Sequence, residues 1–465
     1  MPKCDVAIIG AGSAGLVAGA LLAKQGKKVK VIEGDRHLGG RAKAVPFEEG
    51  YRLTLGGHLL EDDGTGITKI MEYLGKELKH GSLSKGMPVY DEGKWKNVKD
   101  LYRSNKNELK KVVKALVNTE FSALDKYDNI PLRQWLQQHT SDKGVISLFE
   151  YLTVLECMTD HWYDHSASDN LYVRKMHYQE KRTAGYSCWP EGGWDKLFQD
   201  LADAIEENGG EVLLNTKVGN VIIENGRAKG VTIHKYVGDI IATPNEYPEV
   251  DRIESDIVII TAPVWHLLSL IDNTLLPDWY IDQINLLAQD KYKVGWVGLH
   301  VATKEPLYID NPVELVAWLE GPRTGLAGWG FLMTGYDPDT APPGVHVFHA
   351  GAAFQGKKTV QWFERQFDNF EKDLAEMYPG FNPDNIIWKR RHLVYDPPFG
   401  VIQKPGLVGS HRPENAVPNL EGLFLAGETY KSRGIGVDRA ARSALTVTEL
   451  ILGQRISFFN RTWRY

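Results

Sequence analysis

The chain opens on an apolar run that stops at glycine: Asp5-Val6-Ala7-Ile8-Ile9 leads directly into Gly10-Ala11-Gly12-Ser13-Ala14-Gly15. A strand that ends on Gly-x-Gly-x-x-Gly and continues as a helix leaves few folds open, because each glycine has its own steric task. Gly10 turns the chain tightly out of the strand, Gly12 lets backbone N–H groups approach a pyrophosphate, and Gly15 permits close packing of helix on strand. The phosphates then meet the N-terminus of a helix expected from about Ser13 to Lys24, with Ser13 and Ala14 in its first turn. A second strand, Lys28 to Ile32, runs into Glu33-Gly34, where a carboxylate accepts hydrogen bonds from an adenosine ribose and repels a 2′-phosphate. Strand, helix and acid in phase predict a dinucleotide site.

The motif alone suits NAD and FAD equally, so the nucleotide must be read from other residues. In Arg36-His37-Leu38-Gly39-Gly40-Arg41, the adjacent Gly39 and Gly40 permit a backbone path beside a cofactor, and Arg41 offers a fixed fork of donors to phosphate. The alternative is an ordinary turn with a solvated arginine. Near the other end, the strand-like Leu423-Phe424-Leu425-Ala426 leads to Gly427-Glu428, and Gly434-Ile435-Gly436 precedes a helix from about Val437 to Leu452. One cofactor is thus expected to be held by both ends of the chain.

With 465 residues, the chain is long enough for two or three domains. Its net charge of −6 offers no basic excess for nucleic acid, which excludes that class of partner. Cys4, Cys157 and Cys188 lack Cys-x-x-Cys spacing, so no disulfide framework, zinc site or other metal site is predicted, and a reducing, cytoplasmic location fits best. No signal peptide is read before the first strand, and the apolar stretch Ile257 to Ile271, interrupted by Pro263 and His266, is too short to span a bilayer.

The organisation predicted is α/β: a discontinuous Rossmann-like cofactor domain with an inserted mixed-sheet and helical substrate domain. The cofactor domain is assigned residues 1–75, 186–265 and 395–465, and the substrate domain residues 76–185 and 266–394. Lys293 to Val301 and Val345 to Ala350 supply strands of the mixed sheet. Such insertions place a substrate cavity at the domain junction. A single dinucleotide fingerprint argues against a second, nicotinamide domain.

On these motifs the chain resembles the FAD-dependent amine oxidase and phytoene desaturase superfamily, which carries a Gly-Gly-Arg segment just past its ribose-binding acid. Trp189-Pro190-Glu191-Gly192-Gly193-Trp194 and Asn215-Thr216-Lys217-Val218 are similar to that family's central FAD segment. Asp256 to Pro263 resembles the strand returning to its sheet. Asp337-Pro338-Asp339-Thr340-Ala341-Pro342-Pro343-Gly344 resembles a segment of the branch that holds phytoene desaturases and retinol saturases. The resemblance implies FAD, with the backbone of Val218 at adenine, Glu428 beside pyrophosphate or ribitol, and Gly436 and Val437 at the flavin pyrimidine edge. No cysteine stands in Thr429-Tyr430-Lys431-Ser432-Arg433, where some amine oxidases attach flavin, so non-covalent FAD is expected; His37 is the other conceivable attachment point, in what reads as an ordinary turn.

Two residues are candidates for chemistry. Gly56-Gly57-His58 resembles the stretch that approaches the isoalloxazine ring, and His58 either exchanges a proton or serves to position the flavin. Lys293 loosely fits the amine oxidase lysine that holds water at flavin N5; a surface lysine is its other reading. Tyr186, Trp189 and Phe399 are candidates for the cavity wall. The basic tract from Lys94 to Lys114 brackets Leu109, Val112, Val113 and Leu116 at helical spacing, as either a peripheral membrane helix or a core-packed helix with a solvated basic face. The function implied is flavin-dependent hydride transfer to or from a carbon–carbon bond of a small apolar, isoprenoid or cyclic substrate, with oxygen, a quinone or a diffusible carrier as electron acceptor. Amine oxidation is the alternative, and a non-redox isomerase or lipid-binding flavoprotein stands beside both.

Overall fold

The computed structural model describes residues 3–47, 50–56, 60–61, 66–79, 88–97, 105–157, 162–179, 187–235, 251–307 and 315–459. Its first unit is the predicted parallel sheet. Five strands lie in the order Leu423–Leu425, Ile257–Ile260, Val6–Ile9, Val29–Ile32 and Glu211–Leu213. Adjacent pairs are parallel throughout, with Val6 opposite both Ile257 and Val29. Parallel strands covered on both faces read as unbroken apolar runs, which is why Val6–Ile9 and Ile257–Ile260 stand out in the sequence.

The helix Ser13–Lys24 follows the first strand and is buried from Ser13 to Ala23. A helix apolar on every side belongs inside a protein. It packs beside the helices Gly193–Glu207 and Gly436–Leu452. The approach is close because Gly19 has no side chain: a Cβ there would lie 2.8 Å from Ile205 Cδ1. Leu16, Val17, Leu21 and Leu22 are fully buried; each contributes roughly 1.5–3 kcal/mol.

A mixed sheet forms the second unit. Its order is Ile386–Val394, Lys293–Thr303, His346–Gln355, Gly328–Leu332, Leu315–Trp318, Pro88–Asp91 and Lys94–Asn97, with Gly400–Val401 paired to Lys293 and Val294. Leu315–Trp318 meets Pro88–Asp91 in parallel, and the other pairs are antiparallel. The amphipathic helix Val360–Met377 covers one face through Phe363, Phe367, Phe370, Leu374 and Met377, and its N-cap Thr359 accepts a hydrogen bond from Trp362 N at 3.2 Å. A three-stranded antiparallel sheet, Thr216–Glu224, Arg227–Lys235 and Asp251–Glu254, lies between two strands of the parallel sheet in sequence.

The basic tract divides differently from its sequence spacing. Glu92 and Gly93 both have positive φ, the backbone of a two-residue hairpin turn, so Lys94 and Lys96 stand on a strand. Among the described residues of the tract the helix spans Lys106–Asn118, where Val112 and Leu116 are buried in the main core. Leu109 and Val113 of the same stripe are half-buried. Among the described residues, no helix is long and apolar enough to cross a membrane.

Candidate cofactor and substrate site

Parallel sheet and mixed sheet face a common cavity of about 1130 Å³. Gly10, Gly12, Ser13, Ala14, Glu33, Gly34, Gly39, Gly40, Arg41, Gly56, Val218, Gly427, Glu428, Gly436 and Val437 all line it. Gly15 does not, because it packs behind the wall: a Cβ there would stand 1.9 Å from the Gly10 carbonyl oxygen. The two glycine segments also touch each other. Gly39 N donates to Ala11 O at 2.9 Å, and a Cβ on Gly40 would lie 3.2 Å from Gly12 Cα.

Glu33 is fixed at the end of its strand by two backbone donors, Ala11 N at 2.7 Å on Oε2 and Asp35 N at 2.8 Å on Oε1. Each carboxylate oxygen keeps a further lone-pair direction, so the group can still accept from ribose hydroxyls. The ladder beyond Val218 slips before Val221, and the irregular backbone of Gly219 and Asn220 also lines the cavity.

Charge gathers at the opposite end. Arg41 donates to the Phe399 carbonyl, lies over the Trp265 ring at 5.4 Å, and stands 3.8 Å from Glu428 Oε2. Arg412 and Arg439 approach Glu428 Oε1 at 3.3 and 3.7 Å. Burial, with Arg439 adding to it, pulls the Arg412 pKa down to about 10; it remains a cation at neutral pH. Arg41, on the cavity wall, offers positive charge to a pyrophosphate anion, while Arg412 and Arg439 lie behind the wall against Glu428. Glu428 Oε2 is buried and has no hydrogen-bond donor among the described residues, a vacancy a ribitol hydroxyl can fill. The helix Gly436–Leu452 begins on the same wall with no side-chain cap, so its first N–H groups and roughly +0.5 charge are available to an electron-rich ring edge. These residues fit an FAD molecule along its length.

The proposed chemical residues fare differently. Gly57, His58 and Tyr186 lie outside the described residues. Lys293 opens its strand with Nζ 2.7 Å from Asp290 Oδ1 and 5.9 Å from the Trp265 ring centre; it is absent from the cavity wall, which its neighbour Val294 joins. Phe399 lines the cavity, whereas Trp189 is wholly buried in the core. His37 stands 3.3 Å from Asp35 Oδ1 and is not part of the wall.

Sequence reasoning missed His392, which lines the cavity from the strand Ile386–Val394. Its Nε2 lies 3.1 Å from Leu55 O, and burial pushes its pKa down to about 4, leaving a neutral ring. Behind the wall, Trp296 contacts Phe399, Trp329 and His349 at ring separations of 6.3, 5.0 and 5.9 Å. Alternation along Trp388, Arg390, His392 and Val394 was the available signal for that strand.

Also missed was a buried ionic network that joins the helical segment to the closing segment. Asp169, on the helix Ala167–Gln179, accepts from Arg439 through Oδ2 and lies 3.4 Å from Arg433 through Oδ1. Arg433 also meets Asp128 at 2.7 Å and Asp125 at 2.5 Å. Burial alone would raise the Asp169 pKa, but Arg439, Arg433 and Arg412 more than offset it and hold the carboxyl below its ordinary range.

A family model described as flavin containing amine oxidoreductase matches residues 13–452. Among curated relatives, a 4,4′-diapophytoene desaturase (4,4′-diapolycopene-forming) from a Methylomonas species is 26% identical over 270 residues, 49% of this chain and 50% of the relative. A putrescine oxidase of Kocuria rosea is 29% identical over 159 residues, 31% of this chain and 33% of the relative. The chain spans half or less of the length of the curated relatives it matches. An oxidoreductase from Methanosarcina mazei shares the fold at a TM-score of 0.72 and 20% identity, covering 96% of this chain and 100% of that one. Cyclohexylamine oxidase from Brevibacterium oxydans does so at 0.60 and 16%, covering 97% and 100%. The discontinuous α/β architecture and the match over nearly all of its length agree: the chain belongs to the flavin containing amine oxidoreductase family.

Proposed function

We propose that the protein holds FAD non-covalently and oxidises a small amine at the carbon next to nitrogen. When bound, FAD supplies the hydride acceptor and passes electrons to oxygen, a quinone or a diffusible carrier. The supporting observation is the wall facing the flavin end of the cradle: Phe399 and His392 line the same cavity as Gly56, Gly436 and Val437, with Trp296 and Trp329 packed behind them. Aromatic rings attract a cationic amine. Arg41 anchors the phosphate end, with Arg412 and Arg439 holding Glu428 behind it, while Glu33 and the Val218 backbone orient the adenosine. In this reading residues 1–75, 186–265 and 395–465 serve the cofactor, and residues 76–185 and 266–394 serve the substrate.

A second reading is hydrogen transfer across a carbon–carbon bond of an apolar, isoprenoid or cyclic molecule, favoured by the longer sequence match to the Methylomonas desaturase. Acid precipitation first establishes that yellow FAD leaves the protein freely. Anaerobic mixing of the flavoprotein with primary amines and with a solubilised polyene then separates the readings. Bleaching of the oxidised flavin by an amine is expected. Bleaching by the polyene alone would transfer the assignment to carbon–carbon chemistry, and binding without bleaching would favour a non-redox isomerase or a lipid-binding role.

A further inference from the structure

Three histidines on adjacent strands of the mixed sheet share one face. His300 is directly opposite His349 in the antiparallel register, and His392 is opposite Gly298, two residues from His300 and so on the same side of the pleat. All three are buried, at 2%, 0% and 6% exposure. One ring nitrogen from each lies within 4.8 Å of the other two, and the ring centres are 4.3, 4.8 and 5.2 Å apart.

Imidazoles on a tetrahedral metal have metal–nitrogen distances of about 2.0–2.1 Å, which places ligand nitrogens about 3.4 Å apart and ring centres about 5 Å apart. The ring centres already stand near that spacing, and small side-chain rotations suffice for the nitrogens. His392 also has the outer support common in metal sites: its Nε2 faces the Leu55 carbonyl at 3.1 Å, so this nitrogen carries the proton and Nδ1 carries the lone pair. That Nδ1 is buried and has no hydrogen-bond partner among the described residues. Trp296 and Trp329 flank the group, with ring centres 5.9 and 6.4 Å from His349.

We propose that His300, His349 and His392 form a three-imidazole site for a divalent first-row cation such as Zn²⁺. Three neutral ligands leave the full charge of the ion uncompensated in an apolar shell, which is costly. The fourth ligand is therefore a hydroxide, entering from the cavity that His392 lines. Three protein ligands with one exchangeable position describe a site built for chemistry rather than for structural bracing. It does not depend on which carbon substrate the flavin oxidises.

The FAD-loaded full chain is stripped with chelator, dialysed, and titrated with Zn²⁺ and with Co²⁺. Metal content is read by elemental analysis, and tetrahedral cobalt by its visible bands beyond the flavin absorption. About one equivalent should bind, with release of about one proton as the metal-bound water becomes hydroxide. His349→Gln should weaken binding by more than about 100-fold, the upper end of the effect of losing an outer-shell partner. Flavin retention reports that the variant is folded; if it is not, His392→Gln takes its place. Wild-type protein that binds neither ion stoichiometrically, or folded variants that bind as tightly as wild type, would overturn the site.

Discussion

Replacing Asp169 with Asn tests how the helical segment is fastened to the cofactor cradle. The carboxylate is fully buried, and among the described residues the Arg439 side chain donates a hydrogen bond to it alone; the nearest Glu428 oxygen is 3.7 Å away. Arg433 would keep Asp128 and Asp125. The loss therefore falls mainly on Arg439, and removing one partner of a buried pair costs about 3–5 kcal/mol. For a chain of 465 residues unfolding as one unit, an entropy of about 2.1 cal/mol/K per residue gives about 1 kcal/mol per degree, hence a Tm lower by about 3–5 °C. The drop would be larger if the helical segment detached first. Circular dichroism and the rise of flavin fluorescence on release would follow the two events separately. Because the folded carboxyl titrates below its ordinary value, its contribution is complete above about pH 4, where the unfolded carboxyl ionises, and fades as pH falls through the lower folded pKa. Wild type and variant should therefore differ by a constant margin from pH 5 to 8 and converge in acid. A variant melting within a degree of wild type at pH 7 would refute the assignment of this network as the fastening.

Gly15→Ala should yield protein lacking flavin or failing to fold, because the new methyl would stand 1.9 Å from a backbone oxygen; stoichiometric flavin absorbance in the purified variant would contradict this. Glu33→Arg removes the acceptor held by Ala11 N and Asp35 N, and loss of charge-assisted hydrogen bonds of about 1.5–3 kcal/mol should weaken FAD binding roughly ten- to a hundredfold, measured by fluorescence titration. Lys293→Met should change stopped-flow flavin reduction less than about tenfold, since its ammonium pairs with Asp290 outside the cavity wall; a loss in the 10²- to 10⁴-fold range of general acid–base catalysis would restore it to the chemistry.

The parts of the site visible in the sequence are those whose physics is local. Gly10, Gly12 and Gly15 shape one turn, Glu33 follows one strand, and Gly436 begins one helix, so a short window carries the whole constraint. Asp169 and Arg439 satisfy each other across 270 positions, and nothing beside either residue announces the partner. The histidines are intermediate. His300 lies in a segment legible as a strand, but only the registers with His346–Gln355 and Ile386–Val394 bring His349 and His392 beside it. Lys94 misled through composition, since the Glu92-Gly93 turn just before it folds Lys94–Asn97 back as a strand against Pro88–Asp91.

The order of strands in the parallel sheet sets a timetable for synthesis. Ile257–Ile260 already has Val6–Ile9 on one side when it emerges, but its other neighbour, Leu423–Leu425, follows about 160 residues later. At about 5–20 residues per second, that apolar strand waits roughly 10–30 s with one edge open. Over the same interval Arg412, Glu428, Gly436 and Arg439 do not yet exist on the ribosome, so the nucleotide has only half a cradle to enter. Cofactor loading is consequently among the last events of maturation. A cell short of flavin would accumulate chains that are complete in covalent structure yet hold no nucleotide between the two halves of the cradle.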